Sequence, residues 1–95
     1  MNKEILKIKE KVVNVLLKHN VKKAAFFGSI VRDELTETSD LDLLIEFEGD
    51  KSLLNLVDLK LELEKCLNRK VDVITYNSLH PLLKERILKE QEAII

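Results

Sequence analysis

The sequence has few residues of several kinds and no long apolar segment. Among its 95 residues are one cysteine, one proline and no tryptophan. The single cysteine, Cys66, excludes an internal disulfide and a cysteine-based zinc site, and it fits a reducing, cytoplasmic location. We expect Cys66 to be a small buried side chain on a helix. No apolar run approaches the roughly 20 residues that span a membrane, and the charged N-terminus does not resemble a signal peptide.

An excess of one charge sign is also lacking, because the net charge is −1. The distribution is uneven: residues 1–27 carry a balance of +5, residues 28–50 a balance of −7, and residues 51–95 a balance of +1. A protein that binds a long nucleic acid needs a basic stripe to neutralise phosphates. Only the first helix offers one, so direct nucleic-acid binding is not expected. The acidic central segment instead suits a site for cations.

Hydrophobic periodicity predicts helices that alternate with short strands. The predicted elements are a helix over residues 3–19, a strand over 23–27, a helical turn or two over 29–35, a strand over 41–48, a helix from Asp50 or Ser52 to 67, a strand over 71–75, a helix capped by Asn77 or Ser78 that ends near 90, and a short strand over 93–95. This order predicts one α/β (α+β) domain, residues 1–95, with helices packed on a small sheet. The pattern alone leaves open whether that sheet is parallel or mixed.

Two aspartates, separated by one residue, stand at the start of a predicted strand. In a strand, Asp40 and Asp42 project from the same face, while Leu41, Leu43 and the alternate residues after them point into the core. Each aspartate alone could be an ordinary loop or surface acid, but aspartate is a poor strand former. Adjacent carboxylates repel each other unless a cation lies between them. Mg²⁺ takes such oxygen ligands and usually bridges them to substrate phosphates.

A second candidate feature is the turn that follows the first predicted strand. Gly28 could simply end the strand, Ser29 could cap a helical turn, and Arg32 could be a solvent-exposed side chain. The functional interpretation is that Gly28 lets the backbone approach a phosphate, which Ser29 and the neighbouring amides bind. Arg32 lies about one helical turn further on and can reach the same phosphate.

A third carboxylate, Asp72, lies inside a predicted strand of apolar residues. Taken alone, it is best explained as a surface residue paired with Arg69 or Lys70. Because Asp40 and Asp42 stand on another strand, the better interpretation is that Asp72 completes the same site.

Together, Gly28-Ser29, Arg32, Asp40-x-Asp42 and Asp72 resemble the signature of the nucleotidyltransferase superfamily related to DNA polymerase beta. The length and element order resemble the minimal nucleotidyltransferases, the antitoxins of HEPN/MNT toxin–antitoxin pairs. One departure is Asp33, because members of the family often have glycine after the arginine. The change adds an acid near the phosphate turn and puts the turn geometry and the nucleotide preference in question.

The resemblance implies a small mixed sheet of the nucleotidyltransferase type and a function for each residue. Asp40, Asp42 and Asp72 are expected to be catalytic and to bind Mg²⁺, and Gly28, Ser29 and Arg32 are expected to bind the nucleotide. The implied reaction transfers AMP from ATP to a tyrosine hydroxyl of a HEPN toxin. A chain of this length carries no second domain for the acceptor, so the partner is expected to supply that surface.

Three functions remain open at this stage. The chain could be a protein adenylyltransferase, an antitoxin that neutralises its partner by binding alone, or a nucleotidyltransferase that modifies a small molecule or an RNA end. Seven leucines surround the helix over residues 53–67, more than one buried face needs. That excess predicts either a partner-binding surface or a deeply buried helix, and it leaves self-association or a hetero-oligomer open.

Overall fold

The computed structural model describes residues 3–95. The helices are α1 (Lys3–Lys18), α2 (Leu53–Leu67) and α3 (Pro81–Glu90), and the strands are β1 (Val21–Phe27), β2 (Leu41–Phe47), β3 (Val71–Thr75) and β4 (Glu92–Ala93). Single 3₁₀ turns follow β1 at Gly28–Ile30 and β3 at Tyr76–Ser78. In this part of the chain no helix is long and apolar enough to cross a membrane.

The four strands form one mixed sheet in the order β3-β2-β1-β4. β2 runs antiparallel to β1 and parallel to β3, and β4 adds to the other edge of β1. The parallel pair is possible because α2 carries the chain back between the two strands. The predicted α/β class with a small mixed sheet is therefore confirmed.

One face of the sheet is covered by α1 and α2. The helical repeat of α1 places its apolar side chains on the sheet, and α2 contributes Leu59 and Leu63, which are fully buried. They meet alternate residues of the strands, including Leu41, Leu43 and Phe26. This core fixes the register of β2, because a shift by one residue would turn Asp42 inward.

The opposite face is covered more sparsely by α3 and the turn after β3. Ala25 and Leu44 are buried there beneath Leu79, and Ile87 of α3 packs against them. The side chains at even positions of β2 point to this face. Asp42 therefore emerges beside α3, at the end of the sheet where this cover stops.

Several local predictions are wrong. Cys66 is exposed rather than buried. The cap of α3 is His80, whose Nδ1 accepts a bond from the Leu82 amide at 3.2 Å; Asn77 and Ser78 instead form the 3₁₀ turn after β3. The helical turn predicted over residues 29–35 is shorter, a 3₁₀ turn that ends at Ile30. The last strand is Glu92–Ala93 rather than residues 93–95.

The leucine-rich helix is not deeply buried. Leu53 and Leu54 are each 74% exposed and Leu61 is 57% exposed. Leu54, Val57 and Leu61 follow at helical spacing, so they share a face that points away from the core. We call these residues and the adjacent Leu53 the outer stripe. The alternative of a fully enclosed helix is therefore excluded, and the outer stripe is apolar surface with no cover from residues 3–95.

Candidate active site

Two aspartates stand side by side on the parallel strands β2 and β3. Asp42 is paired in register with Asp72, so their side chains emerge on the same face of the sheet. Asp40 precedes β2 in the loop and is near enough to act on the charge of Asp42. Asp40 and Asp72, the other two carboxylates predicted from the sequence, are thus near enough to Asp42 to affect its pKa. The side chain of Asp72 is exposed and makes no hydrogen bond or ion pair with any residue from 3 to 95.

The Asp42 carboxyl lies in an unfavourable electrostatic environment. Burial, followed by the charges of Asp72 and Asp40, raises the pKa of Asp42 from 3.8 to about 6. Arg32 acts in the opposite direction but does not outweigh these effects. Repulsion among carboxylates of this kind is relieved by a bound cation.

The turn at Gly28 lies directly against the carboxylate of Asp42. Gly28 has a φ of +78°, and a Cβ added to it would overlap Oδ2 of Asp42. Any other residue at position 28 would therefore face both backbone strain and a steric clash. Gly28 is thus required by the close approach of the turn to Asp42.

The turn continues through residues 29–33 and explains the departure at position 33. The Val31 and Arg32 amides both donate to the carbonyl of Gly28, at 3.1 and 3.3 Å. Asp33 then adopts φ +59°, the left-handed conformation that glycine adopts most readily and that aspartate tolerates. Asp33 therefore preserves the backbone path that a glycine would give. The Ser29 hydroxyl makes no hydrogen bond in the described chain and is free for a ligand.

A carboxylate from α3 occupies the anion-binding groups of this turn. Oε1 of Glu90 accepts a bond from the Gly28 amide at 2.9 Å and another from Nη1 of Arg32 at 2.9 Å. Nε of Arg32 also donates to Glu34 at 3.3 Å. One amide and one guanidinium therefore converge on a single oxygen position, a geometry that suits a phosphate oxygen as well as a carboxylate.

The loop before Asp40 is held by Arg69, which lies in the connection between α2 and β3. Nη1 of Arg69 donates to the carbonyls of Thr36 and Ser39, at 3.1 and 3.4 Å. Within the loop, the Ser39 hydroxyl accepts from the Thr36 amide at 3.0 Å. Arg69 is therefore not an ion-pair partner of Asp72, as it would be if Asp72 were an ordinary surface residue. It fixes the backbone that presents Asp40.

The carboxylates fit a metal ion only with help from outside the chain. Across residues 3–95, no three Asp, Glu, His or Cys side chains come close enough to enclose an ion by themselves. Mg²⁺ is commonly held by one or two carboxylates together with substrate phosphates and water. The unpaired Asp72 and the crowded Asp42 therefore suit an ion that is shared with a bound phosphate group.

Glu90 and Arg69 are parts of the site that the sequence does not predict. Gly28 and Glu90 are 62 positions apart in the chain, and no periodic pattern links them. Of the two histidines, His19 pairs with Glu62 and His80 caps α3. The hydroxyl of Tyr76 donates to Oε1 of Gln91 at 2.8 Å.

The chain is similar in sequence to known proteins. The family model described as "Polymerase beta, Nucleotidyltransferase" matches residues 10–95. "Putative protein adenylyltransferase MJ0435" of Methanocaldococcus jannaschii is 60% identical over 86 residues, which cover 90% of this chain and 92% of that protein. "Protein adenylyltransferase MntA" of Thermococcus cleftensis is 39% identical over 70 residues, which cover 74% of this chain and 71% of that protein.

Solved structures agree with the sequence relatives. A structure described as a "putative minimal nucleotidyltransferase" is 39% identical, has a TM-score of 0.81, and the match covers 97% of this chain and 95% of that one. A toxin–antitoxin complex with AMP-PNP shares the fold at a TM-score of 0.80 but is only 17% identical, with 92% of this chain and 72% of that one covered. The chain therefore belongs to the polymerase beta nucleotidyltransferase family, as its motif predicts.

Proposed function

We propose that this chain, as a single minimal nucleotidyltransferase domain in the cytoplasm, transfers AMP from ATP to a hydroxyl group of a partner protein. The observation that carries the proposal is the pairing of Asp42 with Asp72 beside the Gly28–Arg32 turn. Relatives named protein adenylyltransferase support a protein as the acceptor. In this proposal the partner is a HEPN-family toxin, and a tyrosine of that toxin is the acceptor.

Mg²⁺ is the proposed cofactor, held by Asp40, Asp42 and Asp72 together with the triphosphate. A bound Mg²⁺ supplies positive charge that polarises the phosphate and offsets the negative charge that develops during transfer. The chemistry of the donor set supports this ion, because carboxylate oxygens are the ligands that hard cations prefer. The raised pKa of Asp42 supports it further, since the site is short of positive charge.

The residues of the chain have separate tasks in the proposed reaction. The Gly28 amide, the Ser29 hydroxyl and the Arg32 guanidinium bind the outer phosphates and hold the α-phosphate near the carboxylates. The acceptor oxygen attacks the α-phosphorus, the bond from phosphorus to the bridging oxygen breaks, and pyrophosphate leaves. Asp72 accepts the proton of the hydroxyl, directly or through water, because it is exposed and unpaired.

The outer stripe supports a protein partner. Four large apolar side chains on one helix, three of them more than half exposed, form the kind of surface that marks a protein contact. The stripe lies on α2, whereas the proposed active site faces α3. A partner bound to the stripe must therefore reach around the end of the sheet to present its acceptor to Asp72.

The test is transfer of label from [α-³²P]ATP to the product of the neighbouring gene, which this proposal expects to be a HEPN-family protein. We expect labelling of a partner tyrosine that depends on Mg²⁺ and is lost in Asp40→Asn and Asp42→Asn. Asp50→Asn, an exposed loop substitution with the same charge change, is the matched control and should label normally.

Two results would contradict the proposal. A stable complex without transfer, equally strong for Asp42→Asn, would mean that the chain neutralises its partner by binding alone. Transfer to a small molecule or to an RNA end, with no protein labelled, would keep the chemistry but change the acceptor class.

A further inference from the structure

We propose that the carboxylate of Glu90 occupies the position of a nucleotide phosphate and is displaced when ATP binds, so that Glu90 sets the affinity for the nucleotide. The inference rests on the proposed function, because it takes the Gly28–Arg32 turn as the triphosphate-binding element. It adds a residue from α3 that neither the motif nor the family relationship assigns.

The contacts of Glu90 are those that a phosphate would make. A single oxygen accepts from one backbone amide and one guanidinium, both at 2.9 Å, and the side chain is only 24% exposed. Charge-assisted bonds in a partly dry position are stronger than those made in water. A phosphate oxygen cannot use the Gly28 amide and Nη1 of Arg32 while Glu90 holds both of them.

The backbone around Glu90 cannot move away as a unit. Gln91 is bonded to the Tyr76 hydroxyl, Ala93 pairs with Ala25 in the sheet, and the Ile94 amide donates to the Ala24 carbonyl at 2.9 Å. These bonds fix the chain directly after α3. Displacement of Glu90 is therefore a change of side-chain rotamer at a fixed Cα position.

A second cation is available for the displaced carboxylate. Arg86 lies one helical turn before Glu90 and lines the same surface cavity of about 210 Å³ beside Gly28 and Arg32. Within residues 3–95, Arg86 makes no ion pair. A carboxylate at position 90 can pair with a cation at position 86, since residues four apart share a helix face. The Glu90 side chain therefore has one position in which it competes with an anion for the turn. In its other position it pairs with Arg86 and leaves the turn open.

Exchange of this kind has a consequence for product release. In this proposal the outer phosphates of ATP become pyrophosphate, which still holds the Gly28 amide and the Arg32 guanidinium that Glu90 gave up. The same carboxylate can return to the turn and compete with departing pyrophosphate.

The test compares binding of MgATP by isothermal titration calorimetry for the wild type, Glu90→Ala and Glu90→Gln. We expect the Kd to fall by about tenfold or more in Glu90→Ala, because a competing charged group is removed. In Glu90→Gln the Kd should also fall, but by less, because the side-chain amide oxygen can still accept a hydrogen bond. Glu85→Gln, on the exposed part of α3, carries the same charge change as Glu90→Gln and should leave the Kd unchanged.

The displacement itself can be observed by NMR, because the chain has two glycines. Protein labelled with ¹⁵N-glycine therefore has one amide signal from the site, Gly28, and one internal control, Gly49. The Gly28 signal should move in Glu90→Ala without ligand and in the wild type with MgATP, while the Gly49 signal stays in place and reports an intact fold.

Three outcomes would overturn the inference. An unchanged Kd in Glu90→Ala, with MgATP still bound, would mean that Glu90 does not compete, and the proposed function would stand. A higher Kd in Glu90→Ala would mean that Glu90 positions Arg32 for the nucleotide instead of blocking it. No binding of MgATP to any variant would overturn the inference together with the proposed nucleotide site.

Discussion

Gly28 is the residue at which the Gly28–Arg32 turn and the Asp42 carboxylate constrain each other most tightly. Its φ is +78° and its missing side chain makes room for Asp42, whereas Gly49 has φ +73° and open space around it. Gly49→Ala should cost about 1 kcal/mol of unfolding free energy, the cost of a left-handed conformation. Gly28→Ala should cost about 2–4 kcal/mol, because overpacking adds to the same strain. Urea denaturation of both variants measures the difference, and equal losses would contradict the contact with Asp42.

Variants of Asp33 test whether this position requires a residue that tolerates the left-handed backbone conformation or requires the aspartate side chain. With φ at +59°, the position favours glycine, tolerates aspartate and disfavours alanine. Asp33→Ala should lower the free energy of unfolding by about 1 kcal/mol, while Asp33→Gly should change it by less than about 0.5 kcal/mol, since relief of strain is offset by chain entropy. Greater destabilisation by glycine than by alanine would assign a structural contact to the Asp33 side chain.

Asp42 illustrates the cost of placing carboxylates beside one another in a partly buried position. Its pKa is raised from 3.8 to about 6, so the ionised form is disfavoured in the fold and the associated stability is full below about pH 4 and lost as the pH rises through 6. Full conversion of this shift would give about 3 kcal/mol, and partial exposure reduces it to about 1–2 kcal/mol. In EDTA at pH 7.5, Asp42→Asn should therefore be more stable than the wild type by that amount.

The same pair of proteins reports the metal. Added Mg²⁺ should raise the melting temperature of the wild type more than that of Asp42→Asn, because the ion relieves repulsion in the wild type alone. Asp50→Asn, in an exposed loop, is the control for a general effect of charge. A wild type that is as stable as Asp42→Asn in EDTA at pH 7.5 would contradict the raised pKa.

Among the elements of the fold, types are predictable from the sequence and several ends are not. Helices and strands follow from the spacing of apolar residues, which is a local property of each segment. The cap of α3 was assigned to Asn77 or Ser78 because these residue types commonly cap helices, yet the structure uses His80. Cys66 was assigned to the core because free cysteine is usually buried. Its exposure depends on which face of α2 meets the sheet, and apolar residues on several faces hide that choice.

The loop between β1 and β2 depends on Arg69 for its shape. Arg69→Ala removes the bonds to the carbonyls of Thr36 and Ser39, which precede Asp40. We expect the Mg²⁺ concentration for half-maximal transfer to rise several-fold, with the Kd for ATP in EDTA unchanged. Arg69→Lys should recover part of the effect, because one ammonium cannot reproduce the geometry of the guanidinium. Lys70→Ala is the neighbouring control, and an equal effect of both alanine substitutions would contradict a role specific to Arg69.

For the whole molecule, the sequence predicts the members of the site better than their contacts. Asp40, Asp42, Asp72 and the glycine turn are recognisable because their residue types are unusual for their places in the chain. Glu90 is an ordinary acid near the end of an amphipathic helix. Its contact with Gly28 exists because β4 returns beside β1 and carries the end of α3 to the turn. Such a contact depends on the assembled topology, which no local pattern contains.

The outer stripe on α2 provides the prediction that tests the molecule as one half of a complex. Leu54→Ser with Leu61→Ser should leave the melting temperature within a few degrees of the wild type, because both side chains are already exposed. Leu82→Ser on α3, at 85% exposure, is the matched control for loss of surface leucine. Affinity for the HEPN protein, measured by calorimetry, should fall by about 100-fold in the double variant, as two buried leucines at an interface imply, and remain unchanged in the control. Equal affinity of the wild type, the double variant and Leu82→Ser would mean that the partner binds a surface other than the outer stripe.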